Sequence, residues 1–181
     1  SSIRNIYACG DVAGPYQFTH MAGHQAWYAT VNALFAPFKK FAVDYSVVTW
    51  CTYTDPELAR VGLSEDEAKA QNIPHEVTTY GIDDLDRAIT DGEDDGFVRV
   101  HTRTGTDEIL GATIVAGHAG EMISEVTLAM VARLGLGTLA NVIHPYPTQA
   151  DALRRVAFQY SVTRVTPLVK RLLGVWLKLT G

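Results

Sequence analysis

The Gly10-Asp11 pair has the position and the chemistry of a cofactor-binding turn. It follows an apolar run at 6–9 that predicts a buried strand, and α/β folds bind cofactors outside the carboxyl ends of such strands. An aspartate there can accept hydrogen bonds from the hydroxyl groups of a ribose or ribityl chain. The helix expected from Thr19 or His20 would present its first N–H groups to an electron-rich ring. A purely structural Gly-Asp turn explains the dipeptide at least as well.

The sequence gives less support to a redox thiol pair or a metal site than to a cofactor-binding turn. Cys9 and Cys51 show neither CxxC nor CxxxxC spacing, so no redox pair is predicted and buried free thiols are favoured. The acidic run 91–95 lacks the ligand pattern of a calcium loop, which favours a solvated acidic loop over 83–95 and no metal site. Four histidines show no coordinated spacing and are assigned ordinary surface or core roles: His24, His75, His101 and His118.

Composition limits the classes of partner. The 181 residues are 47% hydrophobic and 19% charged, which is enough apolar material for an ordinary core. The formal net charge of −5 disfavours binding to the backbone of a nucleic acid. No apolar stretch approaches the roughly 18 to 20 residues of a membrane helix, and no signal segment opens the chain. A cytoplasmic protein without membrane insertion is expected.

The chain is interpreted as two successive units and a final helix, at 1–45, 46–162 and 163–181. The first unit holds one strand and one small-residue helix that Pro37 ends. Such a pair cannot stand alone, because a strand buried on both faces needs parallel neighbours. The sequence is therefore expected to be the tail of a longer protein, with Ser1 at a boundary.

The second unit alternates short strands with helices, which predicts an α+β fold with an antiparallel sheet and flanking helices. Ser64 and Glu67 form a capping-box pattern, and Thr19 and Thr148 are predicted N-caps. Strands are expected at 47–53, 58–63, 75–82, 96–103 and 108–116, and helices at 64–71, 119–134, 138–143, from Thr148 and from Pro167.

The helix from Pro167 carries apolar residues with Lys170, Arg171 and Lys178 at other positions. Two interpretations stay open. The helix either lies on a membrane surface or docks on the protein's own body or a partner subunit, and docking is favoured.

Several segments taken together resemble one family. Ile6 to Val12 is similar to the second flavin-binding motif of the pyridine nucleotide-disulfide oxidoreductases, which include dihydrolipoamide dehydrogenase, glutathione reductase and mercuric reductase. Segments resembling the family's dimerisation domain follow in order: Thr54 to Ser64, Arg87-Ala88, Gly111-Ala112, Gly120 to Ile123, and His144 to Thr148.

The resemblance implies a homodimeric flavoprotein in which NAD(P)H reduces FAD and the flavin reduces a cysteine pair. This chain has no GxGxxG fingerprint and no CxxxxC pair. It is therefore expected to be the C-terminal part of such an oxidoreductase: a strand-helix remnant of a Rossmann-like FAD domain, followed by the dimerisation domain. NAD(P)H would bind to the missing part, and the isolated chain is expected to be inactive.

The same resemblance implies the roles of single residues. Asp11, after Gly10, would contact the ribityl or phosphate region of FAD, and the amides of Phe18, Thr19 and His20 would face the isoalloxazine ring.

At the second site, many family members carry a His-Pro-Thr-x-x-Glu segment whose histidine acts as acid and base across the dimer. Here Tyr146 and Asp151 replace the histidine and the glutamate. A phenol with a pKa near ~10 exchanges protons less readily at neutral pH than an imidazole near ~6.5. The tyrosine resembles the mercuric-reductase branch, although that branch's C-terminal cysteine pair is absent. His144 is the alternative source of an imidazole.

Two function hypotheses remain open at this level. The first is the FAD-contacting and dimerising part of a mercuric-reductase-like oxidoreductase, with a two-fold dimer formed through the sheet and the 122–130 helix. The second is a stand-alone dimerisation or interaction module without redox activity. The Gly10-Asp11 turn and its helix favour the first, because a pure interface module does not need them.

Overall fold

The computed structural model describes residue 3, residues 5–36 and residues 38–180, and only the backbone of Leu168. Pro37, the expected helix stop, and Ser1, the expected boundary, lie outside the described residues. The chain divides into two compact units, one up to Ser46 and one from Val47.

The first unit contains one long helix, α1 (Thr19–Phe35), preceded by a short 3-10 turn (Asp11–Ala13). The strand predicted at 6–9 is not formed. Strand hydrogen bonds need a neighbouring strand, and the described part of this unit contains none. Thr19 is the first helical residue rather than the N-cap, which is Phe18.

The second unit is built on a five-stranded antiparallel sheet in the order β1-β2-β5-β4-β3, which confirms the predicted α+β class. Strands β4 and β5 form the predicted hairpin, and β5 pairs with β2 on its other side. The strands are β1 (Thr49–Thr52), β2 (Glu57–Gly62), β3 (His75–Gly81), β4 (Phe97–Arg103) and β5 (Ile109–Ala116).

Six helices accompany the sheet, and two of them cover one of its faces. Helix α4 packs on β1, β2 and β5, whereas α6 packs on β3 and β4. The helices are α2 (Glu65–Ala70), α3 (Asp86–Asp91), α4 (Ala119–Val131), α5 (Leu136–Leu139), α6 (Asp151–Thr163) and α7 (Pro167–Thr180).

The two faces of the sheet differ in polarity because side chains alternate along each strand. Val61, Val98 and Ile114 lie fully buried beneath the helices. On the opposite face, the Arg60 guanidinium lies 5.0 Å from the Trp50 ring centroid and 2.9 Å from the Glu67 carboxylate. One face therefore forms the core, and the other is polar and partly exposed.

Glu57 connects the sheet to α4. Its carboxylate accepts a hydrogen bond of 2.9 Å from the amide of Gly120, in the first turn of the helix. A negative charge at a helix N-terminus is favourable because unpaired N–H groups converge there. This contact gives a physical reason for a glutamate at position 57.

Two further local expectations are wrong in whole or in part. The expected acidic loop at 83–95 is an exposed loop at 92–95, but Asp86–Asp91 form the short helix α3, and Leu85 and Ala88 are buried in the core. Thr148 is not an N-cap: its hydroxyl donates to the Pro145 carbonyl, and Ala150 is the N-cap of α6. The Ser64–Glu67 capping box at α2 is confirmed.

Gly111 provides a test of the sheet's packing. A Cβ at this position would lie 2.6 Å from the Leu63 amide nitrogen and would also overlap the Leu63 carbonyl, and backbone atoms cannot move aside cheaply. We expect Gly111→Ala to lower the free energy of unfolding by about 3 kcal/mol, measured by urea denaturation. Gly174→Ala is the control, since a Cβ there meets no atom within 4 Å. Equal stability of the two variants would contradict the packing.

Candidate functional site

The side chain of Gln25 is hydrogen-bonded to both ends of the Gly10–Gly14 turn. The Gly10 amide donates to Gln25 Oε1 at 2.7 Å, and Gln25 Nε2 donates to the Gly14 carbonyl and the Tyr45 hydroxyl, both at 3.0 Å. Gln25 itself is buried. Gly10 has a φ of 75°, a conformation that favours glycine. The turn is thus fixed from both ends, with Asp11 on its exposed side.

The start of α1 lies a few residues beyond this turn. Phe18, the N-cap, has no side-chain oxygen that could cap the helix. Its ring is stacked on His20 at 5.3 Å and on Tyr16 at 6.4 Å between centroids. A helix N-terminus beside flat aromatic rings suits an electron-rich planar ligand.

A cavity adjoins the turn. It has a volume of about 470 Å³, and Val12 and Ala13 of the turn contribute to its lining together with Gln25. Asp11 is exposed and is not among the lining residues.

His144 is anchored to α4. Its Nε2 lies 3.1 Å from a carboxylate oxygen of Glu125, and only 4% of its side chain is exposed. Its Nδ1 atom is buried and has no hydrogen-bond partner within the described part of the chain. The imidazole is therefore buried within the second unit, and its contact with Glu125 connects the loop before α6 to α4.

Tyr146 has the opposite environment. The residue is 75% exposed, and no hydrogen bond joins it to any described residue. Its neighbour Ile143 is 95% exposed. The loop therefore presents the tyrosine outward while its histidine points inward.

Asp151 begins α6 and is engaged by two arginines. Arg154 Nε and Arg155 Nε lie 2.7 and 2.8 Å from its carboxylate oxygens. Burial raises the pKa of this carboxyl, but the hydrogen bonds from the two arginines outweigh that effect and lower it. The charge of Asp151 is therefore matched within its own helix, and the structure shows no contact between Asp151 and Tyr146.

The cysteines differ from the expectation of two buried thiols. Cys9 is exposed, and Cys51 is half-buried with its sulfur 4.0 Å from a Glu57 carboxylate oxygen. Burial, and then the Glu57 charge, raises the pKa of the Cys51 thiol. Cys51 is thus kept protonated and is a poor nucleophile.

Two residues of these sites were missed by sequence reasoning. Gln25 is one of several polar residues of α1, which include His24 and Asn32, and α4 carries Glu121 and Thr127 besides Glu125. No local feature of the sequence therefore distinguishes Gln25 or Glu125 from these other polar residues. Their partners lie 15 and 19 residues away along the chain, so only the fold identifies them.

Comparison with known proteins assigns the second unit to a domain family. Residues 48–157 match the model of the pyridine nucleotide-disulphide oxidoreductase dimerisation domain. The chain belongs to this family. The matched region begins at Val48, just after the start of the second unit, and ends within α6.

Relatives of this chain carry two different names. It is 40% identical over 151 residues to a dihydrolipoyl dehydrogenase of Chlamydia trachomatis, covering 83% of this chain and 32% of that protein. It is 31% identical over 157 residues to a mercuric reductase of Shewanella putrefaciens, covering 87% of this chain and 28% of that protein. The chain thus spans about a third of the length of these curated relatives.

A solved structure agrees with the fold. LpdA from Mycobacterium tuberculosis superposes with a TM-score of 0.77 at 25% identity, covering 85% of this chain and 33% of that one. The match covers more of the chain than the dimerisation model does.

Proposed function

We propose that this chain is the FAD-contacting and dimerising portion of an FAD-dependent NAD(P)H oxidoreductase, and that it acts on an acceptor other than a lipoamide-type dithiol. The observation that carries this proposal is the Gln25-held turn directly ahead of a family dimerisation domain. A stand-alone interface module would have no use for such a turn.

The residues of the first unit fit a flavin. Asp11 offers an exposed carboxylate to ribityl hydroxyls, and Phe18, Thr19 and His20 lie at the N-terminus of α1, whose dipole favours an electron-rich ring system. When bound, FAD would supply hydride acceptance from NAD(P)H and electron transfer to a disulfide. The role of this unit is to bind and orient the cofactor. The nicotinamide would bind to residues outside this chain.

We further propose that Tyr146, rather than His144 or Asp151, faces the partner subunit's reactive centre. Tyr146 is exposed and unpaired within the described residues, whereas His144 and Asp151 are engaged by Glu125 and by two arginines. The phenol can donate a hydrogen bond to a thiolate or a substrate atom, but it is a weak base at neutral pH. This chemistry positions a substrate better than it shuttles protons, as in the mercuric-reductase-like interpretation.

The dimer would form through the outer side of α4 and the loop before α6. The inner stripe of α4, including Met122 and Val126, is buried against the chain's own sheet, so it cannot supply the interface. Leu128, one turn after Glu125, and Ile143, next to His144, are exposed near the Glu125–His144 contact. An exposed apolar surface of this kind is typical of a subunit interface.

The flavin role is tested at Gln25. In the flavoprotein that contains this chain, we expect Gln25→Ala to weaken FAD binding at least about tenfold, because the turn loses its two hydrogen bonds to Gln25. Flavin absorbance per polypeptide and FAD titration of the apoprotein measure the effect. Gln17→Ala, at an exposed position before α1, is the matched control. A colourless parent protein that cannot be reconstituted would overturn the flavin role.

The role of Tyr146 is tested by two substitutions in the same flavoprotein. We expect Tyr146→His to increase dihydrolipoamide oxidation at least about tenfold, because an imidazole restores proton exchange near neutral pH. Tyr146→Phe is expected to raise the KM for the native acceptor. Tyr53→Phe, at another exposed tyrosine, is the control. If Tyr146→His gains no such activity while its flavin content is normal, the proposed role is wrong.

The dimer surface is tested by charge insertion. We expect Leu128→Glu to raise the dimer dissociation constant at least about tenfold, because a charge would be buried in the interface. Light scattering or sedimentation equilibrium measures the change. Ile89→Glu, on the exposed side of α3, is the control and should leave the dimer intact. A wild-type chain that remains monomeric at high concentration would contradict the proposal.

A further inference from the structure

Helix α7 has its charged and apolar residues on separate sides. At 100° per residue, Lys170, Arg171 and Lys178 fall within an arc of about 100° around the helix axis. The apolar residues occupy the remaining arc of about 200°. They are Val169, Leu172, Leu173, Val175, Trp176, Leu177 and Leu179.

This apolar side does not pack on the protein. Every side chain from Val169 to Thr180 is exposed, with Leu172 at 60% and Trp176 at 59%. Helix α6, immediately before it, buries Leu153, Val156 and Tyr160 in the core. The expected docking of the last helix on the chain's own body is therefore not found among the described residues.

The described part of α7 is short. Its 14 residues extend about 21 Å, and the apolar layer of a bilayer is ~30 Å thick. No helix in the described part of the chain is both long and apolar enough to cross a membrane. A helix with a broad apolar side and a separate charged side suits the interface between water and lipid.

The charge of α7 indicates which surface it meets. The helix carries three cations and no acidic residue, although the whole chain has a net charge of −5. We propose that α7 binds peripherally to a membrane containing anionic phospholipids. Its apolar side enters the interfacial layer, its cations contact lipid phosphates, and Trp176 lies at the headgroup level.

The breadth of the apolar side separates this proposal from docking on a second copy of the chain. A helix seated against another helix needs a narrow apolar stripe, with polar residues on both flanks. In α7 the apolar residues extend past half of the circumference, so a protein groove would leave several of them in water. A lipid interface surrounds such a helix on three sides.

Vesicle flotation of the purified full chain tests the proposal. We expect the chain to float with vesicles containing phosphatidylglycerol and not with vesicles of phosphatidylcholine alone. The double variant Lys170→Glu/Lys178→Glu is expected to bind at least about tenfold more weakly. The control, Lys39→Glu/Lys40→Glu, changes the same charge at exposed positions outside α7 and should bind like the wild type.

Fluorescence gives a second readout that does not depend on charge. On adding phosphatidylglycerol vesicles, we expect a blue shift and quenching by brominated lipid in the wild type, and neither in Trp176→Phe. Absence of binding to these vesicles would overturn the proposal. It would also be overturned if Trp176→Ser weakened self-association in light scattering without changing flotation, because a second copy would then cover the helix. Neither measurement involves flavin, so the proposal stands or falls independently of the function proposed above.

Discussion

The sheet has one apolar face, and the burial of that face determines the arrangement of the second unit. Val61, Val98 and Ile114 on neighbouring strands require cover, which α4 and α6 provide from the two halves of the sheet. Glu57 fixes the start of α4 by accepting the Gly120 amide at its N-terminus. The chain between α4 and α6 carries two of the candidate site residues, His144 and Tyr146.

The loop before α6 combines a residue that is bound to α4 with a residue that is exposed. His144 is held at 3.1 Å by Glu125 of α4, so the loop has a defined place on the unit. Tyr146, two positions later, is left on the outside. The role proposed for Tyr146 depends on this combination, because an outward side chain is held in a defined place only if its backbone is fixed.

In the first unit, a turn likewise has a fixed backbone and an exposed residue. Gln25 receives the Gly10 amide and donates to the Gly14 carbonyl, so both ends of the turn are tied to α1. Burial of the amide side chain strengthens these contacts, because a buried polar group that lost its partners would be costly. Asp11 lies between these two fixed ends and is exposed.

The sequence by itself determined the family resemblance, the α+β class, the Ser64 capping box and the β4–β5 hairpin, because these depend on local spacing and turn chemistry. The prediction that Tyr146 stands where the family carries a histidine also came from the sequence alone. Only the tertiary structure decided that His144 is tied to Glu125, that Asp151 is matched by its own helix, and that the outer rather than the inner side of α4 is exposed. Each of these depends on which residues the fold brings together from distant positions, and residue spacing along the chain does not encode that.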